Sequence, residues 1–271
     1  MHHIAATHTE KIIAGFEDID PKSMLGSDDV KYHHGATGSY TTQSGKEVYI
    51  NLASNPSHLE AIGPVLMGRA RAKQQRFKDQ ERKKIVAVVL HGDAAFAGQG
   101  IAAEALNYAT LNGFEIGGVV HIIINNLIGF TTVPDALHST RFASEIACRI
   151  HAPIFHVNAE SPDDVDFAGR LATAYRYEFG SDVVIDLMGY RRYGHQEQDD
   201  PTITSPTLYQ EIKDYPLLYE SYAKKIGIEE ENVEQLKKGF LDLLETGLEK
   251  GRALTSKPEW TKKANYWDYF E

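Results

Sequence analysis

The sequence predicts an α/β fold built on a parallel sheet with helices on both faces. Short runs rich in β-branched residues alternate with stretches of 10–18 residues that carry helical spacing, the pattern of successive strand–helix–strand units. Most of those runs are continuously apolar rather than alternating, as strands covered on both faces are. No period of 20–50 residues recurs and no Pro/Gly/Ser-rich linker divides the chain. One domain therefore accounts for it, with residues 216–271 as a helical extension.

The elements follow in order. Residues 48–53 form the first apolar run, and 59–78 show helical spacing. Strands are expected at 85–90, 119–124, 154–158 and 183–188, with helices at 100–111 and 139–150 between them. A helix over 162–179 is announced by Ser161 as cap, Pro162 at the first helical position and Asp163 and Asp164 in the first turn. Beyond Pro206 the pattern becomes charged amphipathic helix, with Leu236, Phe240, Leu241, Leu244 and Leu248 on one face. The ending carries Trp260, Tyr266, Trp267, Tyr269 and Phe270, an aromatic cluster suited to docking on a further domain or chain.

Composition excludes several classes. The 271 residues are 42% apolar, enough for a sizeable core. A formal charge of −10 gives no basic footprint for nucleic acid or for an anionic membrane. Cys148 is the only cysteine, so no intrachain disulfide and no CxxC zinc site exist. There is no apolar stretch of about 18 residues, and the opening lacks a leader's basic and apolar regions. The expectation is a cytoplasmic protein, or one of the mitochondrial matrix if eukaryotic.

In an open parallel sheet, ligands bind beyond the carboxyl ends of the strands, so the segments after each strand carry the chemistry. After 85–90 comes HGDAAFAGQG (91–100), a small-residue loop entering a helix, where free amides suit an anion such as phosphate. After 119–124 comes Asn125-Asn126-Leu127-Ile128-Gly129-Phe130. Asp93 and Asn126 lie 33 positions apart, the length of one strand–helix–strand unit, which returns both to the same sheet edge. A carboxylate, an amide oxygen and a backbone carbonyl are hard ligands that suit magnesium or calcium rather than zinc. An ordinary turn at Gly92-Asp93 and an ordinary strand end at Asn125-Asn126 would explain the same residues.

Gly-Asp followed some thirty residues later by Asn-Asn resembles the magnesium–thiamine diphosphate motif. Its context resembles the decarboxylating (first) component of 2-oxoglutarate dehydrogenase complexes. The matching stretches are DVKYHHG (29–35), NPSHLEAIGPV (55–65), HGDAAFAGQG (91–100), INNLIGFTT (124–132), APIFHVNAESPDDV (152–165) and YRRYGHQEQDDP (190–201). Together they span roughly residues 16–250. The run DALHSTRF (135–142) departs from the family pattern, which has an arginine before Ser-Thr.

The resemblance implies that residues 1–215 form a diphosphate- and magnesium-binding domain. Asp93, Asn126 and the carbonyl of Ile128 would ligate the metal, and Leu59, Ala94 and Ala95 would touch the cofactor. His33, Ser57 and His58 match positions near the substrate, and His195 matches a histidine near the diphosphate and the reacting carbon. His2, His3, His8, His121, His151 and His156 match no such position, and are expected to be surface or satisfied core residues.

The implied activity is decarboxylation of 2-oxoglutarate with succinyl transfer to the lipoyl group of a succinyltransferase partner, in a homodimer. The distal carboxylate of that substrate needs donors, for which His33 and Ser57 are candidates. Histidine's ordinary pKa, about 6.5, suits His195 to proton transfer. The family's pyrimidine-binding domain is not in this sequence, so a complete site is expected to need it. Alternatives are a component acting on another 2-oxo acid, and a non-catalytic assembly fragment. A nicotinamide dehydrogenase is disfavoured because no GxGxxG follows a strand, and a zinc hydrolase because HExxH is missing.

Overall fold

A computed structural model describes residues 2–5, 7–17, 31–129, 132–196 and 198–255. Phe130, Glu197 and the aromatic ending lie outside the described residues. In chain order the elements are α1 (His2–Ala5), α2 (Thr9–Phe16), β1 (Ala36–Thr41), β2 (Glu47–Leu52), α3 (Ile62–Arg76), β3 (Ala87–Gly92), α4 (Asp93–Gly98) and α5 (Gly100–Asn107). There follow β4 (Val119–Asn125), β5 (Ile154–Asn158), α6 (Pro162–Phe179), β6 (Val183–Met188), α7 (Pro206–Asp214), α8 (Leu218–Ile226) and α9 (Glu230–Arg252). The chain divides into two compact units, 1–57 with 228–271, and 58–227.

The second unit holds a four-stranded parallel sheet of order β3-β4-β6-β5. The chain moves outward from β3 through β4 to β5 and then steps back to β6. Because crossovers between parallel strands are right-handed, that reversal places α6 on the face opposite the earlier connections. On one face Met67 and Ala70 of α3 pack with Ala87, Val89 and Val119. Beside them the wholly buried Phe96 of α4 meets Ile123, Val184 and Ala147; burying such a ring contributes about 2–3 kcal/mol. On the other face Ala168 and Ala172 of α6, one turn apart, let that helix approach Val120, Val157, Val183 and Ile185 closely.

Several elements depart from expectation. The sheet has an exposed side at β3, an edge strand whose residues alternate between buried and exposed; Val88 is 43% and Leu90 65% exposed. The run at 48–53 is not in this sheet: β2 pairs antiparallel with β1 in the first unit, in a hairpin closed by Thr42 and Gly45. Residues 143–150 wind as a 3-10 helix rather than an α-helix. The Ser161 side chain does not cap α6; its hydroxyl instead faces the Lys225 ammonium at 3.3 Å.

In the first unit the apolar stripe expected on α9 is exposed, with Leu236 at 71% and Leu241 at 50%. Its buried residues are Gly247 and Gly251. A Cβ on Gly247 would lie 2.8 Å from Thr9, so these glycines let α2 and α9 approach closely. Among the described residues no helix is long and apolar enough to cross a membrane.

Candidate active site

The register of β3 and β4 sets the site. Gly92 pairs with Ile124, so Asp93 and Asn126 leave the sheet one and two residues past the same rung. No loop intervenes after β3: Asp93 is itself the first residue of α4, and a second helix starts at Gly100. The small-residue stretch expected as a loop is thus mostly helical. Small side chains at Ala94, Ala95 and Ala97 suit both states, so composition did not distinguish them.

Asp93 is 2% exposed, and its Oδ2 has no hydrogen-bond partner among the described residues. Burial pushes its carboxyl above the usual carboxylate range; the N–H groups of Ala94, Asp93 itself, Leu127 and Asn126 oppose that rise without cancelling it. The last two amides belong to the turn after β4, so the carboxylate faces that turn. Within it, the Ile128 N–H donates to Asn126 Oδ1 at 3.1 Å, and Leu127 adopts a left-handed φ of 61°. Such a conformation costs about 1–2 kcal/mol in a non-glycine residue and persists only where its surroundings impose it.

A buried carboxylate oxygen without a partner is destabilising unless a cation or donor completes it. Among the described residues no three His, Cys, Asp or Glu side chains gather as a metal cluster. A metal here would rest on a mixed oxygen set: the Asp93 carboxylate, the Asn126 amide oxygen and a backbone carbonyl such as that of Ile128. That set fits magnesium.

The segment after β6 is stitched to the same turn. The Gly189 N–H donates to the Asn125 carbonyl at 2.9 Å and the Arg191 N–H to the Asn126 carbonyl at 3.2 Å. The Arg191 guanidinium donates to the His195 carbonyl at 2.8 Å, and Tyr209 Oη donates to the Arg191 carbonyl at 2.9 Å. A cavity of about 300 Å³ results, lined among others by Leu127, Ile128, His195, Asp199 and Tyr209. Leu127, Ile128 and His195 therefore share one cavity at the strand ends; Asp93 and Asn126 are not among its described lining residues.

The remaining predicted residues are distributed as follows. His58 and Leu59 are exposed at the start of the second unit, Leu59 at 58%. His33 and Ser57 belong to the first unit. His33 and His34 lie on a 3-10 turn, half-buried, with the His33 carbonyl accepting the Asn55 N–H at 3.2 Å and the His34 carbonyl accepting Ser54 Oγ at 2.9 Å. Gly35 follows with φ +72°, where a Cβ would lie 2.7 Å from the Leu52 carbonyl, so only glycine closes this turn against the 52–55 segment.

Sequence reasoning passed over a polar chain beneath the site. Glu60, His91, His121 and Asp182 form a continuous buried contact series in the second unit. A signal was present: a histidine inside the run VVHIII (119–124) must find partners when the strand is covered. His156 likewise meets a buried carboxylate, with Nδ1 3.1 Å from Asp186.

The family model described as "Dehydrogenase E1 component" matches residues 2–239. The chain is 42% identical over 247 residues to the 2-oxoglutarate dehydrogenase E1 component of Haemophilus influenzae, covering 88% of this chain and 26% of that protein. It is also 42% identical over 254 residues to the protein of the same name in Brucella anthropi, covering 89% of this chain and 25% of that one. The chain thus spans about a quarter of the length of these curated relatives.

Proposed function

Because this chain belongs to the dehydrogenase E1 component family, we propose that residues 1–215 bind the diphosphate of thiamine diphosphate through magnesium, as part of an enzyme that decarboxylates 2-oxoglutarate. The observation that carries this reading is the buried Asp93 carboxyl, which meets the N–H groups of Asn126 and Leu127 while its Oδ2 has no partner among the described residues. Asp93, Asn126 and the Ile128 carbonyl are the proposed metal ligands, with Leu59, Ala94 and Ala95 against the cofactor. When bound, thiamine diphosphate supplies an electron sink for loss of carbon dioxide from a 2-oxo acid.

The protein's own groups bind, orient and move protons. His195, held by Arg191 at the cavity, is the proposed proton donor and acceptor near the reacting carbon. His33, Ser57 and His58 are proposed to meet the substrate, whose distal carboxylate needs donors once it leaves water. A complete site is proposed to need the pyrimidine-binding domain, and the succinyl group to pass to a lipoyl-bearing succinyltransferase; a homodimer is the proposed assembly.

Calorimetric titration of thiamine diphosphate into this chain, with and without magnesium, tests the reading. Binding that requires magnesium supports it. Binding of equal strength in chelator would reject Asp93 and Asn126 as a metal site, and no binding by the folded chain would assign the site to two domains jointly.

A further inference from the structure

Four ionisable side chains beneath the site have no role in the function proposed above. Glu60 Oε2 lies 2.6 Å from His91 Nδ1, His91 Nε2 lies 3.0 Å from His121 Nδ1, and His121 Nε2 lies 3.2 Å from Asp182 Oδ2. The other oxygen of Asp182 accepts the N–H of Val119, at the start of β4, at 2.8 Å. None of the four side chains is more than 5% exposed. The series runs along one face of the sheet, from the amino end of β4 to the carboxyl end of β3. His91 also packs on the buried Phe96, with ring centroids 4.6 Å apart.

Counting protons shows that the series behaves as one unit. Three contacts need three protons, one in each. Two neutral imidazoles carry two, and two ionised carboxylates carry none. Two neutral rings thus supply protons for two of the three contacts, and removal of an end group leaves a buried ring nitrogen without a partner, a costly state.

Glu60 is the end bonded to His91, two residues before Asp93. It has a left-handed φ of 66°, a conformation worth about 1–2 kcal/mol of strain in an L-residue. Its carbonyl accepts the Gly63 N–H as α3 begins, and the turn is closed by the Ala61 N–H on the His58 carbonyl. The two residues before it, His58 and Leu59, are exposed, and His91 is followed directly by Gly92 and Asp93.

We infer that Glu60 is a positioning residue, fixed by the His91–His121–Asp182 series, which holds the exposed His58–Leu59 pair in place relative to the strand that leads into Asp93. The strained turn is held by this buried contact together with its two backbone hydrogen bonds, the pair itself being exposed. Only the use of the pair toward a cofactor rests on the function proposed above; the positioning does not.

Hydrogen–deuterium exchange on the whole cofactor-free chain tests it. Glu60→Ala should raise exchange of the Ala61 and Gly63 amides about tenfold or more while β4 and α6 keep their protection. Glu60→Gln, whose amide can donate the third proton to His91, should keep exchange within about twofold of the parent. Should Glu60→Ala not fold, Glu60→Asp, one methylene too short to span the contact without moving the turn, carries the same expectation. Unchanged exchange in Glu60→Ala, uniform loosening of the whole unit, or failure of Glu60→Gln to rescue would each overturn the inference. Thiamine diphosphate titrated in parallel separates the two readings. A loosened turn with undiminished magnesium-dependent binding would overturn the cofactor role of Leu59 and uphold the positioning.

Discussion

Arg191 donates its backbone N–H to the carbonyl of Asn126 across 3.2 Å, joining the segment after β6 to the turn after β4. Residues 65 positions apart are thereby held together at one sheet edge, where both the turn after β4 and the segment after β6 contribute walls to one cavity. The consequences can be tested one group at a time.

Asp93→Asn should remove the proposed metal site while keeping the fold. The carboxylate is buried without a partner for Oδ2, so neutralising it relieves a desolvation cost. Magnesium-dependent affinity for thiamine diphosphate should fall by at least about 100-fold, and the thermal midpoint of the cofactor-free chain should not drop. A lower midpoint with unaltered affinity would make Asp93 a structural residue.

Tyr209→Phe should cost about 1 kcal/mol, the ordinary worth of a hydrogen bond whose carbonyl partner is left behind. The lost bond is the one from Tyr209 Oη to Arg191, so the effect belongs to the His195 segment. Urea denaturation of parent and variant side by side measures it, and equal midpoints would show that the bond contributes nothing.

Asp79 gives the chain a pH-dependent element. Burial alone would raise its carboxyl, but the N–H groups of Ile85, Lys84 and Lys83 and the Lys84 charge outweigh burial and hold it below the ordinary range. A carboxyl depressed in the folded state stabilises at every pH above its unfolded value, about 3.9. That contribution is lost as pH falls through the lower, folded value. Asp79→Asn should therefore be less stable than the parent at pH 7, by about 2 kcal/mol, and the two should converge in acid. Denaturation midpoints from pH 7 to pH 3 test this; a difference constant with pH would remove the carboxylate from the account.

Gly118→Ala should cost more than about 3 kcal/mol. Gly118 has φ +87°, and a Cβ there would lie 2.1 Å from the Ser181 carbonyl oxygen. Gly113 shares φ +87° but has nothing within 4 Å of a built Cβ, so Gly113→Ala should cost only about 1–2 kcal/mol. Equal losses in the two variants would attribute the effect to dihedral strain alone.

The strands β4 and β6 were legible because each is a short β-branched run largely covered on both faces, and β5 because it is β-branched, although His156 and Asn158 on it are exposed. β3 misled for the opposite reason: its apolar residues continue although one face is exposed. β1, ATGSYT, has too few large apolar residues to signal a strand. At the site, Asp93 and Asn126 could be chosen from ligand chemistry and spacing, and the register agrees that they share an edge. Glu60, Asp182 and Arg176 could not, because each of these buried charges is defined by partners distant in sequence. The Arg176 guanidinium, for example, donates to the carbonyls of Gly118 and Ile116, some sixty positions earlier.

The open edge of the sheet has a colloidal consequence. Among the described residues β3 pairs only with β4, so its outer ladder is unpaired, and Val88 and Leu90 stand exposed on the same strand. Such an edge invites strand-to-strand self-association, and in this chain the main opposing force is the mutual repulsion of copies that each carry −10. Salt shortens that repulsion to about 8 Å at physiological ionic strength and leaves the apolar edge untouched. Added salt should therefore cloud solutions of this chain rather than clear them.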